Sequence, residues 1–158
     1  MNNTYLSFIV GEELYAVNVN KVLEVLDKQY ITRVPNAPEY IKGIINFRGE
    51  IVPVFESRSK FNLPARSETL SHVVIVFDLS KDNDVFRLGA IVDKVKDVIS
   101  IDDIDIKPVP VMSKEFNTEF LNGIFKQNEK FIMLLNVEKV FSGEELSAIK
   151  DSNALQSV

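Results

Sequence analysis

Apolar and polar residues alternate with a period of two along much of this chain. The segments 5–10, 14–17, 43–48, 51–55, 70–79, 86–92 and 131–136 are short, rich in Val, Ile and Phe, and predict strands. Turn chemistry separates them at Gly11-Glu12-Glu13, Asn36-Ala37-Pro38, Arg48-Gly49-Glu50, Lys81-Asp82-Asn83-Asp84 and Gln127-Asn128-Glu129. Short strands joined by tight turns predict a mostly all-β fold of small antiparallel barrels or a sandwich. Helix is a minority. One helical turn is expected over 137–141, and Ser142-Gly143-Glu144-Glu145 fits a capping box opening a C-terminal helix to about Asp151, with a frayed tail over 152–158. Pro53 has no ladder donor, so the strand 51–55 is expected at a sheet edge or a bulge, where another chain could dock.

The chain also repeats itself. Asn20-Lys21-Val22-Leu23-Glu24-Val25-Leu26 recurs 73 residues later as Asp93-Lys94-Val95-Lys96-Asp97-Val98-Ile99. Glu39-Tyr40-Ile41-Lys42-Gly43-Ile44-Ile45 recurs 80 residues later as Glu119-Phe120-Leu121-Asn122-Gly123-Ile124-Phe125, and the apolar register continues without a gap to Phe61 over Phe141. The change of offset is what one loop insertion produces. These matches predict two copies of one small all-β unit, about 5–61 and 73–141, within a single domain 1–158. A unit of about 60 residues is marginal alone, so the copies are expected to share a core.

Positions alike in both copies read as structural, and positions that differ are candidates for function. Lys42 faces Asn122, Arg48 faces Asn128 and Arg58 faces Glu138. Arg48 precedes Gly49 in a hairpin turn that pushes its side chain into solvent, where it is either a solvated charge or a bidentate contact for a carboxylate. Glu24 has the acidic counterpart Asp97, and Val22 and Val25 have Val95 and Val98, which favours structural roles.

Composition narrows the chemistry. The 158 residues are 46% hydrophobic and 26% charged, with no cysteine, no tryptophan and a single histidine, His72. That removes thiol nucleophiles, disulfides, thiolate zinc sites and multi-histidine metal sites, and no catalytic site, metal or cofactor is expected. No phosphate-loop, dinucleotide or zinc-protease motif occurs, and Asp102-Asp103-Ile104-Asp105 lacks the glycine and final glutamate of a calcium loop. The longest apolar runs have five residues, far below the roughly 20 that span a bilayer, so the chain is expected to be cytoplasmic. Residues 1–66 carry a net charge of +1 and residues 67–158 carry −6, giving the total of −5. The first part holds Arg33, Arg48, Arg58 and Arg66. An acidic total argues against nucleic acid, and a local arginine patch suits an acidic protein partner. Phe8, Phe47, Phe55, Phe77 and Phe86 lack the interleaved basic residues of a base-stacking groove.

Tyr40-Ile41-Lys42-Gly43, then Asn46-Phe47-Arg48-Gly49, then Ile51-Val52-Pro53-Val54 resemble the CheW family of chemotaxis coupling proteins. Ile91-Val92-Asp93-Lys94-Val95, Lys107-Pro108 and Leu135-Asn136-Val137-Glu138-Lys139 resemble the family's second half, so the resemblance runs from about residue 5 to 150. It implies two SH3-like five-stranded β-barrel subdomains on a common core and an adaptor without enzymatic activity. The implied partners are the cytoplasmic tip of methyl-accepting chemotaxis receptors and the regulatory domain of the histidine kinase CheA, with the membrane reached only through receptors. Carried over by position, the partner-binding residues are Val22, Glu24, Lys42, Gly43 and Arg48, with Arg58 nearby. Glu24 and Arg48 are expected side by side on one surface, next to a groove between the barrels. The chain departs from the family's usual Asp-Leu-Arg at Glu56-Ser57-Arg58, which puts the packing under Arg58 in question. The other readings are the same scaffold in a different sensory kinase pathway, and an unrelated barrel that binds nucleic acid or a small ligand.

Overall fold

The alternating segments fold into ten strands in two five-stranded sheets. They are β1 (Asn2–Val10), β2 (Glu13–Asn18), β3 (Val22–Leu26), β4 (Ile41–Phe47), β5 (Glu50–Glu56), β6 (Val73–Asp78), β7 (Arg87–Val92), β8 (Lys94–Asp102), β9 (Leu121–Gln127) and β10 (Lys130–Leu135). Two helices, α1 (Ser57–Lys60) and α2 (Gly143–Gln156), and three 3-10 turns are the other elements among the described residues. The computed structural model describes residues 2–67, 71–110, 119–141 and 143–156. The expected N-cap Ser142 lies outside the described residues. The C-terminal helix continues to Gln156, beyond the expected end near Asp151.

One sheet has the order β8-β1-β2-β10-β9 and the other β3-β6-β7-β5-β4. Advancing every strand of the first by five positions around the chain gives the second. The details agree: β2 pairs β10 in parallel as β7 pairs β5, and a bulge at Asn122, just before Gly123, matches one at Lys42, just before Gly43. The sheets do not follow the division of the sequence, however. Each takes two strands from one segment and three from the other, so neither 5–61 nor 73–141 forms a sheet by itself. The end strands of each sheet share no ladder, so the subdomains are open barrels rather than closed ones. The chain beyond β3 returns to β4 through a bridge between Thr32 and Ile44, and the chain beyond β8 does the same between Lys107 and Ile124.

Alternation explains the layering. In β6, Ile75 and Phe77 face a central core while Val74 and Val76 face the interior of their own sheet, so both faces are buried and the run 73–77 is continuously apolar. In β2, Tyr15 and Val17 enter the same central core and Leu14 and Ala16 the opposite interior. The central core also takes Phe8, Phe55, Leu88 and Phe141, so it is shared by both sheets. A chain of rings crosses it from Phe8 to Tyr15, Phe61 and Phe120, with centroids 5.1–5.9 Å apart. Full burial of each such side chain contributes on the order of 2 kcal/mol, which makes this layer the principal stabiliser.

Three strands escape the simple pattern. β3, β8 and β9 are end strands with Lys, Glu or Asp among their apolar residues, so their period of two is broken. Pro53 lies in an interior strand, not at an edge. It is tolerated because it pairs with Ile44 on one side, while the pairing with β7 begins one residue later at Val54.

Gly43 is fixed by close approach. A Cβ there would lie 2.2 Å from the carbonyl oxygen of Thr32, a backbone atom that itself accepts from Ile44 N–H at 2.8 Å. Gly43→Ala is therefore expected to break the Thr32–Ile44 bridge and lower stability by about 2 kcal/mol, read as a shifted denaturation midpoint.

Candidate functional site

The hairpin joining β4 and β5 has a two-residue loop, Arg48-Gly49, with φ of 53° and 84°. Positive φ at both central positions is the geometry whose twist suits two antiparallel strands, and it favours Asn and Gly. Asn128 occupies the matching place in the other sheet with φ 58°. An arginine bears a steric cost there that asparagine largely avoids, so local folding does not explain Arg48. Its side chain is 68% exposed, lies over the Phe47 ring at 4.8 Å, and reaches Glu24 of β3, with Nη2 3.1 Å from Oε2. β3 and β4 are the two ends of their sheet, so this ion pair spans the open seam.

Exposed apolar residues neighbour this pair along the chain. Leu23, Val25 and Ile51 are each about two-fifths exposed and Tyr30 is 89% exposed. A cleft of about 380 Å³ beside the hairpin is lined by Tyr30, Thr32, Ile44, Asn46, Gly49 and Ile51. It belongs to one sheet rather than to a groove between the two. Exposed apolar groups around a partly solvated ion pair are suited to a protein contact in which the pair loses water. Among the described residues, no group of three or more His, Asp or Glu is placed to hold a metal, and no helix is long and apolar enough to cross a membrane.

The other expected residues separate by role. Lys42 is exposed on β4 next to the buried Gly43. Val22 is partly buried against the central core and pairs with Phe77. Arg58 does not join Arg48. It follows β5 at the end opposite the hairpin, about 20 Å away at the rise of an extended strand. There its side chain is 14% exposed and the guanidinium holds Asp93 through two bonds, of 3.0 and 2.7 Å. Arg66 is only 9% exposed and sits between Asp93 and Glu56, and the N–H of Gly11 donates to Asp93 at 2.8 Å. Asp93 thus ties the β1–β2 turn, α1 and the β7–β8 crossing together.

Burial alone would raise the Asp93 carboxyl, but the bonds from Arg58, the Gly11 N–H and Arg66 outweigh it and hold it below its ordinary value of 3.8. A carboxyl depressed by folding stabilises the fold above its unfolded pKa, and that contribution is lost as pH falls through the folded value. Acid titration of the unfolding free energy is therefore expected to show an added loss below about pH 4 that disappears in Asp93→Asn.

Reasoning from the sequence missed Leu23 and Tyr30 beside the hairpin and Asp93 in the buried cluster, and it put Arg66 in a patch for an acidic partner, whereas Arg66 is buried on Glu56 and Asp93. Two were accessible from the internal repeat, where Leu23 faces Lys96 and Asp93 faces Asn20.

Residues 4–145 match the family model for the CheW-like domain. The chain is 34% identical to a chemotaxis protein CheW of Klebsiella aerogenes over 92% of this chain and 85% of that protein. It is 31% identical to one of Rhizobium meliloti over 90% of each. Among solved structures, the scaffolding protein TtCheW of Thermoanaerobacter tengcongensis superposes with a TM-score of 0.78 at 33% identity, covering 92% of this chain and 96% of that one.

Proposed function

We propose, from the premise that the chain belongs to the CheW-like domain family, that it is a non-enzymatic adaptor in chemotaxis signal transduction. It works by contact. Its partners are the cytoplasmic tip of methyl-accepting chemotaxis receptors and the regulatory domain of the kinase CheA, and it resides in the cytoplasm, recruited to receptor arrays. The observation that carries this reading is the exposed Arg48–Glu24 pair at 3.1 Å, with exposed apolar chain neighbours, in a chain that matches the family over residues 4–145. Glu24, Arg48 and Lys42 are the contact residues, and Val22 and Gly43 hold the β3–β4 seam that presents them. Arg58 supports the scaffold instead of touching a partner. The segments 5–61 and 73–141 are copies of one ancestral unit, a reading supported by the five-strand correspondence of the sheets.

Co-sedimentation of the purified chain with receptor signalling fragments and the CheA regulatory domain tests this. A ternary complex is expected, and binding to neither partner would overturn the reading.

A further inference from the structure

The chain junctions that follow β5 and β10 are built alike but carry opposite charge. At the first, the N–H of Glu56 donates to the Tyr40 carbonyl at 3.1 Å, and the Glu56 carboxylate accepts from the N–H of Arg58 at 3.3 Å. At the second, the N–H of Asn136 donates to the Phe120 carbonyl at 2.8 Å, and Asn136 Oδ1 accepts from the N–H of Glu138 at 3.1 Å. Glu56 therefore corresponds to Asn136 and Arg58 to Glu138, and the strand order pairs Asp93 with Asn20. The first junction is closed by a protein side chain: Arg66, bound to Glu56 and Asp93. The second holds a cavity of about 260 Å³ instead, whose polar wall is Asn18, Asn20, Lys21, Asn122, Asn136 and Glu138.

The charges explain what each space accepts. Without Arg66, the first junction would set Arg58 against two carboxylates, and the excess negative charge selects a guanidinium. The second replaces both of those acids by carboxamides and places Glu138 where Arg58 stands, held by Lys21 at 2.8 Å and by the exposed Lys81 at 3.0 Å, with Asp78 the other carboxylate facing Lys21. The Oδ1 atoms of Asn18 and Asn136 already accept backbone N–H groups at 2.9 and 3.1 Å, leaving their NH2 groups as donors toward the cavity. The Lys21 ammonium and these amide donors, standing where the first junction has its two acids, match a carboxylate.

We propose that this cavity is a binding site for the carboxylate side chain of an aspartate or glutamate presented by a partner protein, the charge-inverted counterpart of the space that Arg66 fills. It lies in the β1-containing sheet, apart from the Glu24–Arg48 face.

Titration of the full chain with N-acetyl-glutamate N-methylamide, followed by NMR of the asparagine side-chain amides, tests this. Saturable shifts at Asn18 and Asn136 are expected with a dissociation constant near a millimolar, the scale of a single side chain. Lys21→Gln is expected to weaken binding about tenfold with the backbone spectrum otherwise intact, as loss of one charge-assisted bond does. The neutral glutamine analogue is expected to give no saturable shift. A variant carrying Asn20→Asp and Asn136→Glu restores the acids of the first junction and is expected to take the arginine analogue in place of the glutamate one. The proposal is overturned by absence of a saturable glutamate response, by an equal response to glutamine, by shifts spread over the exposed lysines, or by unchanged preference in the double variant.

Discussion

Replacing Arg48 by glutamate is expected to weaken binding of receptor tip and kinase domain about tenfold or more while leaving the fold intact. The reversal removes the bond to Glu24 and sets two carboxylates against each other at the seam, where the native pair is 3.1 Å apart. Because Arg48 is 68% exposed, the pair itself contributes little to folding, at most about 1 kcal/mol. Its turn position separates function from stability further. Arg48→Asn installs the residue that holds the same left-handed conformation at position 128, so it is expected to raise stability by roughly 0.5 kcal/mol while binding still falls. Isothermal titration beside thermal denaturation distinguishes the two effects. A variant that binds normally would mean that the arginine is kept for some other reason.

Asp93→Ala is expected to have the largest effect on stability, a loss of about 3 kcal/mol. It leaves Arg58 and Arg66, 14% and 9% exposed, with Glu56 as the one remaining carboxylate of the cluster. In a domain of this size that corresponds to a melting temperature lower by about 10 °C. Arg58→Ala is expected to cost less, about 2 kcal/mol, because Asp93 keeps Arg66 and the Gly11 N–H. Neither substitution is expected to change affinity at the hairpin, at the far end of β5. An Arg58→Ala variant of native stability and reduced affinity would return Arg58 to the contact surface.

The contrast between these arginines marks what the sequence could and could not tell. Both break the internal repeat, and residue type and asymmetry alone give Arg48 and Arg58 the same standing. What separates them is the partner each finds across the fold: Glu24 at a solvated seam, Asp93 in a buried crossing. Asp93 lies 35 positions from Arg58, and a pairing at that range leaves no periodic trace. The strands of the central layer were legible because both of their faces are apolar, as in 73–77. The end strands β3, β8 and β9 were not, because one face meets water and charged residues interrupt the alternation. The exchange of strands between the two sequence segments was hidden for a different reason. A repeat shows that two stretches are alike, but says nothing of which copy each strand pairs with.

The central claim is that the chain couples receptor to kinase by contact through the Glu24–Arg48 face. Reconstituting it with cognate receptors and CheA, and measuring kinase autophosphorylation, tests that claim most directly. Strong stimulation by the native chain, lost in a folded Arg48→Glu variant, is the expected result. No stimulation by the native chain, or equal stimulation by Arg48→Glu, would contradict it.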